Sequence, residues 1–104
     1  MNKTALKKLK TLLLSNYSDL IDRIILFGSR ATGSASKSSD YDILLILNQD
    51  HDWRLENKIL DLCYEIDLKH NILTDIKIIS KNDLDTIRGR QPYILNALES
   101  GVYL

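Results

Sequence analysis

The stretch IILFGSRATGSASKSSDYDILLIL, residues 24–47, places two apolar runs on either side of a polar connection. The runs over residues 22–27 and 43–47 are rich in branched aliphatic side chains, which predicts two strands buried on both faces. The first run ends at Gly28, and the second follows Asp42. If the two strands pair antiparallel, both of these positions lie at the same end of a sheet.

Helical and extended patterns alternate through the rest of the chain. Leucines at helical spacing predict an amphipathic helix over 3–16, and a second apolar stripe predicts a long helix over 52–69. The partly alternating run over 72–79 predicts a third strand at a sheet edge. Pro92 and Gly101 mark the ends of a last helix. The order predicts an α/β fold with a small mixed sheet of about three main strands flanked by helices.

Length and composition narrow the class of protein. With 104 residues we expect a single domain spanning 1–104. The 14 basic and 14 acidic residues cancel, which argues against general nucleic-acid binding. Only short apolar runs occur, so no membrane-spanning segment is expected. One cysteine and the lack of a secretory leader favour the cytoplasm.

Three aspartates are candidates for a metal site. Asp40 and Asp42 are two residues apart where the second strand begins, so both carboxylates point to one face, and their like charges repel unless a cation lies between them. The long helix is a crossover that makes the second and third strands parallel, which brings Asp75 to the same end of the sheet. Oxygen ligands of this kind suit two Mg²⁺ ions, with Mn²⁺ as a substitute.

Gly28 and Ser29 are candidates for phosphate binding. A glycine at the end of a strand lets the backbone approach a ligand without a side chain in the way. The amides that follow it, at the start of a short helix over 30–33, and the Ser29 hydroxyl can face phosphate oxygens.

These motifs resemble the minimal nucleotidyltransferase family of the DNA polymerase beta superfamily. Its signature is Gly-Ser, ten residues, then Asp-x-Asp, and Gly28-Ser29 followed by Asp40-Tyr41-Asp42 fits it without a gap. The likeness extends from the first helix to the closing LESGVYL. The resemblance implies a polymerase-beta-type fold and attack of a nucleophile on the α-phosphate of a nucleoside triphosphate, with pyrophosphate leaving.

The resemblance also implies roles for individual residues. Asp40 and Asp42 would ligate both metal ions, and Asp75 would hold the catalytic metal and accept the proton of the nucleophile. Gly28 and Ser29 would contact the triphosphate. Arg30 and Ser39 would assist them on the phosphate oxygens.

Minimal members of the family commonly act beside a separate helical protein of the HEPN type. One small core hardly encloses a nucleotide, so a partner is expected to complete the pocket. The leading hypothesis is transfer of AMP from ATP to a tyrosine of a HEPN toxin, with this chain as its antitoxin. Two alternatives are transfer to a small molecule such as an aminoglycoside and inhibition of a partner by contact without catalysis. Assembly with itself or with a partner stays open, and Trp53 is as compatible with a core position as with an exposed anchor.

Overall fold

The computed structural model describes residues 2–104, and its elements follow the sequence patterns closely. In chain order they are α1 (Lys3–Tyr17), β1 (Ile21–Phe27), α2 (Ser29–Thr32), β2 (Tyr41–Leu47), α3 (Trp53–His70), β3 (Thr74–Ser80), two 3₁₀ turns (Lys81–Asp85 and Ile87–Arg90), α4 (Pro92–Ser100) and β4 (Val102–Tyr103). The predicted helices and main strands are all present, with ends shifted by two residues or fewer.

The four strands form one mixed sheet in the order β3-β2-β1-β4. β1 and β2 pair antiparallel, and β2 and β3 pair parallel across the α3 crossover, as predicted. β3 lies at an edge, also as predicted. This arrangement brings the end of β1 and the starts of β2 and β3 to one rim of the sheet.

The expectation of three main strands missed β4. This short strand pairs antiparallel with β1, Ile25 opposite Tyr103 and Leu26 opposite Val102, and the amide of Leu104 donates to the carbonyl of Ile24 at 2.8 Å. Its two residues are too few to show a periodicity, and its partner is far away in sequence. Val102 and Tyr103 remain about half exposed.

Two apolar cores lie on opposite faces of the sheet because successive residues of a strand point to opposite sides. The larger core joins α1 and α3 to the sheet residues Ile24, Leu26, Ile43, Leu45 and Leu47. The smaller core joins α4 to Ile25, Phe27, Leu44, Ile46 and Ile79. Cys63 of α3 is in the larger core and 1% exposed. Burial, with a further contribution from Asp67, raises the pKa of its thiol to about 12.

Polar residues mark the ends of the long helix α3. The Asp52 carboxylate accepts a hydrogen bond from the amide of Leu55 at 3.0 Å, which caps the first turn. Asn71 ends the helix in the left-handed conformation, with φ of 51°. Among residues 2–104, the helices include none that combines the length and the apolar character needed to cross a membrane.

Candidate active site

Asp42 and Asp75 are side by side at the rim of the sheet. They are direct partners in the parallel register of β2 and β3, and Asp42 is also opposite Phe27 at the end of β1. Adjacent strands are about 4.8 Å apart, so side chains at paired positions on one face are neighbours. Both acids are on the face that carries the smaller core. The sequence-based prediction that Asp75 shares this end of the sheet with Asp42 is confirmed.

The environment of Asp42 disfavours a negative charge. Partial burial is the largest cause that raises the pKa of its carboxyl, followed by repulsion from Asp75 and from Asp40, while Lys77 lowers it. Asp40 itself is exposed, two residues earlier and just before β2 begins. A bound cation between these carboxylates would relieve the repulsion.

Gly28 lies against the Asp42 carboxylate, in a backbone conformation that favours glycine. Its φ is 71° and ψ is −155°, a conformation that essentially only glycine adopts. A Cβ atom at this position would overlap Oδ2 of Asp42. The close approach of Asp42 therefore gives a steric reason for a glycine at this position. The first amides of α2 also lie at the rim, and they are free because they have no acceptor within the helix.

Lys77 is the cation nearest to the acidic pair. It lies two residues after Asp75, on the same face of β3, and its Nζ is 3.5 Å from Asp75 Oδ1. Both side chains are almost half exposed, so the ion pair is well solvated and weak. Sequence analysis did not select Lys77, although the two-residue period of a strand would have placed it beside Asp75.

Arg30 and Ser39 hold the polar connection together. The Arg30 guanidinium donates to the carbonyl oxygen of Ser39 at 2.9 Å and to that of Lys37 at 3.3 Å, and it lies 4.3 Å from the centre of the Tyr41 ring. The Ser39 hydroxyl accepts from the amide of Ser36 at 3.0 Å. Both side chains thus have partners within the loop that leads into Asp40.

Divalent ions fit this rim in donor chemistry and in charge. All three predicted ligands offer carboxylate oxygens, which Mg²⁺ and Mn²⁺ prefer, and the charges of Asp40 and Asp75 act unfavourably on Asp42. Within residues 2–104, however, no three His, Cys, Asp or Glu side chains are grouped closely enough to surround an ion. Asp42 and Asp75 are direct partners in the sheet, and Asp40 lies just before β2.

The three acids of the rim line none of four clefts on residues 2–104, whose volumes are about 170 to 700 Å³. One of these clefts, of about 270 Å³, is lined by Arg30, Ser39 and Tyr41, next to Asp40. Another, lined by His51, Trp53 and Arg88 among others, is at the opposite end of the sheet. A nucleotide bound at the acids would therefore stay largely exposed unless another surface covered it.

Asp67 supports the site from a distance, and sequence analysis missed it. This buried carboxylate near the end of α3 accepts two hydrogen bonds from Thr74, one from its hydroxyl at 2.8 Å and one from its amide at 3.2 Å. Thr74 immediately precedes Asp75. No local pattern distinguishes Asp67 from the other acids of the helix, because its partner lies across a turn.

A mixed sheet with a Gly-Ser bend at the end of one strand and paired aspartates on the next two defines the nucleotidyltransferase class of enzymes. The chain belongs to the nucleotidyltransferase domain family, whose family model matches residues 6–104.

Two curated relatives come from Methanocaldococcus jannaschii. The chain is 33% identical over 97 residues to a protein provisionally named protein adenylyltransferase MJ0604, covering 93% of this chain and 91% of the relative. It is 32% identical over 81 residues to the similarly named MJ0141, covering 78% of this chain and 81% of that protein.

Solved structures share the fold. A mutant of the toxin–antitoxin MntA-HpeT aligns with a TM-score of 0.59 at 16% identity, and a toxin–antitoxin with AMP-PNP aligns with a TM-score of 0.60 at 18% identity. Each alignment covers 99% of this chain and 72% of the other. At these identities the likeness is one of fold.

Proposed function

We propose that this enzyme transfers AMP from ATP to a hydroxyl group of a partner protein, a tyrosine of a HEPN-type toxin, and so acts as the antitoxin of that partner. The observation that carries the proposal is the direct pairing of Asp42 with Asp75 beside Gly28. The protein adenylyltransferase names of the two relatives support the chemistry, and the toxin–antitoxin structures that share the fold support the kind of partner.

Within the site, Asp40, Asp42 and Asp75 are proposed to hold two Mg²⁺ ions, with Mn²⁺ as a substitute. When bound, these ions supply positive charge that favours deprotonation of the attacking hydroxyl and stabilises the leaving pyrophosphate. Asp75 accepts the proton of the nucleophile. The amides that follow Gly28 and the Ser29 hydroxyl bind phosphate oxygens.

Arg30 and Ser39, for which the family resemblance implies phosphate contacts, also have a structural role in this proposal. Because the Arg30 guanidinium already binds the Ser39 carbonyl and contacts the Tyr41 ring, we assign both residues to positioning the loop before Asp40. The carbonyl that Arg30 holds belongs to the peptide bond that joins Ser39 to Asp40. The loop geometry thereby sets the direction in which Asp40 enters β2.

The position of the three acids outside these four clefts supports a role for the partner in completing the site. The catalytic chemistry is mostly positioning and charge stabilisation, which requires that water be excluded around the phosphates. A helical partner that presents its tyrosine at the rim would supply the acceptor hydroxyl and also a surface that covers the nucleotide. A free small molecule would not supply that surface, so transfer to it is less favourable.

The test combines the purified chain, a HEPN-type partner, Mg²⁺ and ATP labelled in the α-phosphate. We expect label on the partner, a mass increase of one AMP, and loss of both when the acceptor tyrosine is changed to Phe. Asp42→Asn should lower the rate by at least about a thousandfold, since the charge stabilisation at stake is several kcal/mol. Asp50→Asn, an exposed acid at the other end of the sheet, is the matched control.

Transfer to a small molecule is distinguished by an acceptor screen that includes aminoglycosides. Label that appears only on such an acceptor would replace the protein substrate and keep the enzyme class. No label with any nucleotide, or equal rates for Asp42→Asn and the wild-type enzyme, would overturn the assignment of the site.

A further inference from the structure

Helix α3 carries an apolar stripe on its solvent side. Trp53, Tyr64 and Leu68 are 66%, 58% and 66% exposed, and Leu60, between them, is partly buried. At 3.6 residues per turn these positions and the exposed Asn57 lie within about 80° of one another around the helix axis. Large apolar side chains aligned along most of a helix of about 27 Å are typical of an interaction surface rather than of scattered exposed residues.

A row of charged residues borders one side of this stripe. Arg54 and Lys58 are in the first half of the helix, whereas Asp61 and Glu65 are in the second half, and all four are exposed. Of these four side chains, only Arg54 has an ion-pair partner among residues 2–104, namely Asp52 at 3.5 Å, and both of these side chains are more than half exposed. The row is therefore basic at one end, acidic at the other and almost unpaired.

This charge order is complementary to itself. In an antiparallel pair of identical helices, each side of the stripe meets the same side of the other copy, so the basic half of one row faces the acidic half of the other. A two-fold axis between residues 59 and 60 sets Arg54 opposite Glu65 of the second copy and Lys58 opposite Asp61. A partner of different sequence would have to match both signs in the same order.

The apolar residues fit the same axis. Trp53 of one copy is placed between Tyr64 and Leu68 of the other, and Leu60 lies near its own counterpart, so the large side chains interdigitate as knobs into holes. Aromatic residues are favoured at the centre of such contacts. Charge and shape therefore select the same antiparallel arrangement.

We infer that the α3 stripe, defined as Trp53, Asn57, Leu60, Tyr64 and Leu68, is the contact surface of a symmetric homodimer in which two α3 helices pair antiparallel. The dimer leaves both acidic rims accessible. α3 packs on the face of the larger core, whereas Asp42 and Asp75 are on the face of the smaller one. The inference is independent of the proposed transfer reaction.

Sedimentation equilibrium of the purified chain over a wide concentration range tests the inference. We expect a mass of twice 11.9 kDa at high concentration, with weaker association at higher salt because charge pairs contribute. Glu65→Arg places two like charges opposite each other twice in the dimer and should weaken association by about tenfold or more, which is about 1.4 kcal/mol. The double variant Arg54→Glu/Glu65→Arg should restore it.

Leu68→Glu tests the apolar part of the surface and should abolish the dimer. Ile87→Glu is the matched control, because Ile87 is 84% exposed and lies outside α3. Circular dichroism and melting curves verify that each variant is folded. A wild-type chain that stays monomeric at every concentration overturns the inference, as does a charge swap that fails to restore association. Binding of the stripe to a different protein without any self-association also overturns it.

Discussion

At the scale of single residues, the contact between Gly28 and Asp42 links backbone conformation to chemistry. The Asp42 carboxylate lies so close to Gly28 that a Cβ atom at residue 28 would overlap its Oδ2. The glycine of the Gly-Ser motif therefore does more than end a strand. It fixes the position of a proposed metal ligand and exposes the amides that follow it.

Gly28→Ala is expected to remove nearly all transfer activity. The backbone conformation alone costs about 1–3 kcal/mol for a residue with a Cβ atom, and the overlap with Oδ2 displaces the carboxylate of Asp42. A displacement of about 1 Å can cost about a hundredfold in rate. The measurement is the rate of AMP transfer together with a melting curve.

Gly33→Ala is the matched control for this change. Gly33 also has a positive φ, 80°, but a Cβ atom there meets nothing within 4 Å. It should lose about 1–2 kcal/mol of stability and keep its activity when folded. If both variants lose activity equally, the steric role of Gly28 is wrong.

Asp42→Asn is expected to raise the melting temperature at neutral pH in the absence of divalent ions. Because burial and the neighbouring acids raise the pKa of Asp42 in the folded state, ionisation of this group favours unfolding, and stability falls as the pH rises from the unfolded pKa through the folded one. The Asn side chain cannot ionise, so the variant does not lose this stability as the pH rises. The gain should shrink in acid, where the wild-type carboxyl is protonated.

Thermal scans of both proteins across the pH range, with and without Mg²⁺, measure this effect. Mg²⁺ should stabilise the wild-type chain and not the variant. A melting temperature for Asp42→Asn that is lower than that of the wild type at neutral pH, without metal, would contradict the electrostatic picture.

At the scale of elements, the start of β3 is held by hydrogen bonds that Thr74 donates to Asp67 as well as by the strand ladder. This buried carboxylate joins the last turns of α3 to Thr74 at the start of β3. These hydrogen bonds hold the end of α3 against the start of β3, immediately before Asp75.

Asp67→Ala should destabilise the fold by about 1.5–3 kcal/mol, since two hydrogen bonds to a charged group are lost at a buried site. It should also slow AMP transfer, because the start of β3 is no longer fixed. Thr74→Val, which loses only the hydroxyl bond, should have about half the effect on the free energy of unfolding. Denaturant melts and initial rates measure both, and an Asp67→Ala variant with unchanged stability would contradict this role.

The sequence predicted the elements and the Asp42–Asp75 pairing because both follow from local patterns and from the handedness of the crossover. It did not predict the partners of Arg30, the support from Asp67 or the pairing of β4. Each of these depends on a hydrogen bond between residues whose relative position is known only after the chain has folded. A sequence pattern shows which chemical groups are present. It does not show which of these groups will form hydrogen bonds with each other in the folded chain.

At the scale of the whole molecule, one sheet connects two cores. Neighbouring residues of β1 alternate between them, Ile24 and Leu26 on one face and Ile25 and Phe27 on the other. Neither core can lose its packing without disturbing the strands that serve the other. We propose on this ground that residues 1–104 fold as a single domain, with α4 as part of it.

Ile59→Ala in α3 and Ile94→Ala in α4 should each destabilise the protein by about 2–5 kcal/mol, because both side chains are buried and each change leaves a cavity. Both should shift the same single unfolding transition in calorimetry and circular dichroism. A separate early transition in the Ile94→Ala variant would show that α4 unfolds on its own.

The edge position of β3 has a consequence for solubility. A strand with one unpaired side is a template for adding further strands, and such growth leads to fibrillar aggregates. Asp75 and Lys77 place opposite charges on this strand, and burying them against a neighbouring chain would cost their hydration. The residues of the proposed catalytic rim thereby also help to keep the edge of the sheet from recruiting other chains.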